Sequence, residues 1–139
     1  MDDDQVLVAV SAAQLATGAG GLALALHRRH AYDIPLMHGQ ESAIGRDSLL
    51  MGTALSAPAV MLGAQAGAVT ALLRGPSPAA RRLLGGLGAA MVAGYLAERL
   101  VRHRLTPSGW EAAESPVIVA GISLAAAMAL LGLRGGPPA

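Results

Sequence analysis

Residues 48–73 contain no charged side chain, and neither do residues 5–26 or 115–133. A helix rises about 1.5 Å per residue, so each stretch reaches across most or all of the roughly 30 Å hydrocarbon layer of a bilayer. A fourth apolar stretch, 83–101, carries Glu98 and Arg99 only near one end, where long side chains extend to the interface. The pattern predicts an all-α integral membrane protein: four transmembrane helices, at about 5–26, 48–73, 83–101 and 115–133, in an antiparallel bundle that forms a single domain over 1–139.

The competing reading is a soluble helical bundle, and a mean hydropathy of only +0.49 leans that way. A soluble bundle needs a polar stripe along each helix. Residues 48–73 offer only Ser48, Thr53, Ser56, Gln65 and Thr70. The chain is 53% apolar and 14% charged, against about 25% charged in soluble domains, so the membrane reading prevails. Small residues recur at every fourth position: Ala12, Ala16 and Gly20; Gly63, Gly67 and Ala71; Ala90 and Gly94; Gly121, Ala125 and Ala129. Such spacing suits helices that pack closely in lipid.

The connections carry their own signals. Two prolines around Ser77 predict a tight hairpin between the second and third spans. Residues 28–47 are too many for a simple turn, and their mixture of apolar and charged side chains predicts an interfacial helix or a re-entrant segment. Pro58 is expected to kink the second span. Ser108 and Glu111 have the spacing of a capping box for the fourth helix, the alternative being a start at Ser115 with Pro116 in first position. The acidic residues 1–4 lack the features of a removable signal peptide.

Arginines near the spans number six on the side of the first and third loops (Arg28, Arg29, Arg46, Arg99, Arg102, Arg104) and four on the other (Arg74, Arg81, Arg82, Arg134). The positive-inside bias then orients both termini outside, in a bacterial-type cytoplasmic membrane.

Absences narrow the chemistry. With no cysteine there is no thiol redox or thiolate metal site. All ten basic residues are arginines, so no side-chain amine is available for a Schiff base. A net charge of +1 gives no case for nucleic acid.

What chemistry remains is segregated. Every histidine, every aromatic residue and six of the nine acids fall in or beside 27–48 and 95–115, which the four-span plan places on one side. His38 and Glu41 lie three apart, a spacing that suits a proton relay or two ligands of one metal ion. Tyr95, Glu98 and Arg102 share a helical stripe, and Glu98 and Arg102 are spaced to pair. A carboxylate inside a membrane span is functional by default.

The catalytic set expected from this pattern is Glu98 or Glu41 as proton donor or acceptor, His38 as relay and Asp33 as an orienting carboxylate. Arg99 and Arg102 would hold an anionic group, and Tyr95, Trp110, Glu111 and Glu114 complete the substrate side. No metal site and no cofactor are assigned. His27 and His103, the one conceivable haem pair, sit beside arginines near span ends. The function expected is a small membrane enzyme performing isomerisation, cyclisation or hydrolysis on an apolar, lipid-like substrate at the cytoplasmic edge. The alternatives are a noncatalytic subunit docking a partner membrane protein, or a small transporter component. Partners expected are that small molecule, membrane lipids, and a second copy or a partner membrane protein.

Overall fold

The computed structural model describes residues 2–28 and 57–134, together with the backbone of two short strands. It is helical: α1 (Asp3–Arg28), α2 (Ala59–Arg74), α3 (Pro78–Ala97), the short α4 (Arg99–Arg104), a single 3-10 turn (Pro107–Gly109) and α5 (Glu114–Leu133). Between α1 and α2 the strands β1 (Asp33–Ile34) and β2 (Met37–His38) pair antiparallel, with Asp33 opposite His38. The rest of the connection between α1 and α2, where Glu41 falls, lies outside the described residues.

Each long helix starts for a local reason. Asp2 caps α1: its carboxylate accepts from Gln5 N–H at 2.8 Å, while Gln5 Oε1 accepts from Asp2 N–H at 3.1 Å. This is a reciprocal capping box. Asp3 and Asp4 in the first turn and His27 and Arg28 in the last complement the helix dipole. Ser77 Oγ accepts from Ala80 N–H, with Pro78 in the first helical position of α3. Gly75 takes φ 157°, a value side chains rarely allow, at the turn between α2 and α3.

Three expectations about boundaries are corrected. Pro58 lies not inside a helix but non-helical at the head of α2, where its missing N–H has no intrahelical bond to lose; residues 48–56 of the expected span lie outside the described residues. The third helix runs Pro78–Ala97 and breaks at Glu98, whose backbone is extended (φ −73°, ψ 127°). Arg102 reaches back across this break and donates to the carbonyls of Leu96 and Ala97 at 3.0 and 2.8 Å. It thereby satisfies acceptors that a continuing helix would have used. The Ser108–Glu111 box gives way to Thr106, whose hydroxyl accepts from Gly109 N–H. α5 begins instead at Glu114, with Pro116 in its first turn.

The four long helices form a ring, α1 beside α2 and α5, and α3 beside α2 and α5. Sequence neighbours are antiparallel, as is α1 against α5: Arg28, at the end of α1, meets Glu114, at the start of α5. The buried positions explain the packing. On α5 the buried seam is Glu114, Ile118, Gly121, Ala125, Met128 and Gly132, with Ser115 also buried in the first turn, and on α1 it is Leu7, Ser11, Gln14, Gly18, Gly21 and Ala25. Both run at alternating steps of four and three, the seam of a left-handed bundle. Where α3 meets α5 the backbones nearly touch. A Cβ on Gly88 would lie 2.6 Å from Ala125 O, and one on Gly85 2.8 Å from Gly132 C.

The outer faces reverse the usual order of polarity. α1 exposes Ala9, Ala12, Ala13, Ala16, Ala19, Gly20 and Ala23 while burying Ser11 and Gln14. α3 exposes Leu83, Gly86, Ala89, Ala90, Ala93 and Gly94. The outer hydroxyls of Thr17 and Thr70 turn back onto the carbonyls of Ala13 and Ala66, so these helices present almost no free hydrogen-bonding group outward. Two of the helices, α1 and α5, are long and apolar enough to cross a membrane; α2 is apolar but shorter.

Candidate functional site

Most of the described fully buried polar residues gather in two places, one at an end of the bundle and one at its middle. At the end, α5 opens with a carboxylate inside the protein: Glu114 is 0% exposed. Arg28 from α1 donates to Glu114 Oε1 at 2.8 Å, and Arg104 from α4 donates to Oε2 at 2.7 Å. Arg28 also pairs with Glu111 at 3.2 Å, and Arg104 donates to Gly109 O. The turn is self-fastened. Glu111 Oε2 accepts from the N–H groups of Ala113 and Glu114, and Glu111 N–H donates to Ser115 Oγ, which in turn donates to Arg104 O. These bonds, chiefly the one from Glu114 N–H, with Arg28 adding its charge, hold the Glu111 carboxyl below its ordinary range against some desolvation.

This knot ties α1, α4 and α5 together. Both carboxylate oxygens of Glu114 face guanidinium groups, a geometry that fixes charge and leaves poor access for abstracting a substrate proton. Gly109 is needed beneath it, because a Cβ there would lie 2.0 Å from His103 O.

Glu111 and Glu114 come together in the knot. Glu98 is buried at the break between α3 and α4, and its N–H bonds to Gly94 O and Tyr95 O. Tyr95 is buried against Gly121, on the α5 seam, and not at the charged end. Arg99 and Trp110 are exposed, and Arg102 caps α3. The backbone of Asp33–Ile34 lies beside α4, which brings the first loop to the third. The side chains of Asp33 and His38, and all of Glu41, lie outside the described residues.

The middle of the bundle holds a second assembly that the residue pattern had not singled out. Gln65 Nε2, from α2, donates to Ser11 O and to Gln14 Oε1 on α1, each at 2.8 Å, and lies 3.6 Å from Met128 Sδ on α5. Ser11, Gln14 and Gln65 are all 0% exposed. Ser11 Oγ, Gln14 Nε2 and Gln65 Oε1 have no hydrogen-bond partner, at a cost of about 1–3 kcal/mol for each such group. The signal was available: Ser11 and Gln14 fall on the same 4–3 spacing as Leu7 and Gly18.

At the opposite end Arg81 pairs with Asp4 and donates to Leu131 O at 2.8 Å, closing α3 onto α1 and α5. Among the described residues no group of three histidines, aspartates or glutamates is placed to hold a metal ion. No family model, curated protein or solved structure matches this chain.

Proposed function

We propose that this chain is a four-span integral membrane protein that admits an apolar, lipid-like molecule among its helices and performs acid/base chemistry on it at the knotted end. The observation that carries the reading is the inverted polarity of the bundle. Ser11, Gln14 and Gln65 point inward while α1 and α3 turn alanine, glycine and leucine outward, the arrangement that hydrocarbon favours and water does not. Within that reading Glu98, buried at the break between α3 and α4, is the proton carrier. The first-loop residues Asp33, His38 and Glu41 are its partners, and Arg99 orients an anionic group. Isomerisation, cyclisation or hydrolysis needs no more than such groups.

The test compares lipid profiles of cells producing the wild type and Glu98→Gln at equal membrane abundance. A lipid species formed with the wild type and lost with Glu98→Gln is the expected result; identical profiles overturn the enzyme reading.

A second reading, a noncatalytic subunit docked to another membrane protein, is favoured by Gly20, Gly63, Gly67, Gly86 and Gly94. A Cβ built at each meets nothing within 4 Å, leaving room for close helix approach. Loss of a co-purifying protein in Gly63→Leu or Gly86→Leu, with unchanged lipids, selects it.

A further inference from the structure

We propose that Ser11, Gln14 and Gln65 form a binding site for one uncharged hydroxyl oxygen at the middle of the bundle. The carbonyl of Ser11 can only accept. It obliges Gln65 to present Nε2, which donates to it at 2.8 Å, and the same nitrogen obliges Gln14 to present Oε1. Both amide orientations are thereby fixed by the backbone. What remains open follows from that order: N–H donors on Gln14 Nε2, an acceptor on Gln65 Oε1 and the hydroxyl of Ser11, all without a partner and all on residues 0% exposed.

Ser11 O and Gln14 Oε1 converge on Gln65 Nε2, with Met128 Sδ on the α5 side, which brings the three residues that carry the open groups together. An occupant that completes them must accept from Gln14 and donate to Gln65 at once. A hydroxyl does both; an ether or ester oxygen cannot donate, and an ammonium cannot accept. No charged side chain contributes to the node, so an ionised group would enter without compensation.

Two sources supply such an oxygen, a water molecule and the head of a long-chain alcohol dissolved in the bilayer. The second deepens the functional reading above, and rests on it, by naming the polar end of the lipid-like molecule. Glu98 at the knotted end and the node at mid-bundle would then contact different parts of one extended chain.

The experiment uses the full chain in perdeuterated detergent micelles with 15N in its four glutamine side chains. Gln14→Leu and Gln65→Leu assign the resonances. Cross-relaxation from the Gln14 amide protons to bound water, or to the carbinol protons of added 1-dodecanol, is expected. If the occupant is the alcohol, 1-dodecanol shifts the Gln14 and Gln65 amides saturably, dodecane does not, and Ser11→Ala or Gln65→Leu weakens the response at least tenfold. A water signal without a dodecanol response supports the site and removes the amphiphile as its occupant, whatever Glu98→Gln does to the lipids. Absence of both signals, or an equal response to dodecane, overturns the proposal. Ser11→Ala keeps the glutamine pair intact and serves where Gln65→Leu fails to fold.

Discussion

The knot at the head of α5 and the node at its middle each hold fully buried polar side chains, Glu114 in one and Ser11, Gln14 and Gln65 in the other, and differ in whether those groups are answered. Both oxygens of Glu114 meet arginines from two other elements, whereas the node leaves three atoms open after its internal bonds are made. A buried polar network whose bonds are complete fixes geometry, and one left incomplete accepts a further partner. The difference assigns fastening to one region and binding to the other, although the residue types alone, two glutamates and two arginines against two amides and a serine, invite the opposite assignment.

The largest expected effect comes from cutting the knot. Glu114→Leu leaves Arg28 and Arg104 facing an apolar residue, and should cost about 2–4 kcal/mol of stability in micelles, below the full buried-pair value because both arginines are partly exposed. A change under about 0.5 kcal/mol, the usual range for neutral surface substitutions, would break the comparison. Chemical unfolding measures it.

Next in size, Gly88→Leu forces a side chain against Ala125 and Ala129 and should cost about 1–3 kcal/mol. Gly94→Leu, which faces open space, should stay within about 0.5 kcal/mol. Equal losses would mean that the outward faces are already packed against something in the membrane.

A smaller effect separates the regions by pH. The Glu111 carboxyl is held below its ordinary value in the folded protein. Its contribution is therefore present above the unfolded value and is lost as pH falls through the folded one. Acidification below the usual carboxylate range should loosen the turn before α5 and change the emission of Trp110, its sequence neighbour and the chain's one tryptophan. The node contains no titratable group, so the Gln14 and Gln65 amide signals should hold steady over the same range. Smallest of all, Ser11→Ala should stabilise the lipid-stripped protein by about 1 kcal/mol, the low end of the cost of leaving a buried hydroxyl without a partner.

The apolar helices were legible in the sequence because charge is absent over whole helical lengths, and so was the meeting of the first and third loops at one end. The helix breaks were less so. Nothing in the local composition at Glu98 announces an end; α3 stops there because Arg102, four residues on, takes over the freed carbonyls. Ser108 was drawn into a 3-10 turn capped by Thr106, and Glu111 bonded the N–H groups of Ala113 and Glu114 at the head of α5, because several polar side chains in this stretch fit the same local role and only the fold selects between them. The node stayed hidden for a different reason. Alanine and glycine make the outer faces as apolar as the inner ones, so the seam shows no hydrophobic contrast, and the two amides mark the inside only once the 4–3 spacing is known.

The most direct measurement is the stability of the Gln14→Leu/Gln65→Leu double variant against the wild type, both stripped of lipid and unfolded in the same micelles. Replacing both amides removes the open donor and acceptor together with the two bonds that Gln65 donates, an exchange for apolar groups of similar shape that is close to neutral or stabilising. The account predicts a double variant at least as stable as the wild type, opposite in sign to Glu114→Leu. A loss matching that of Glu114→Leu would contradict it, showing that the node, like the knot, is a fastening of the bundle.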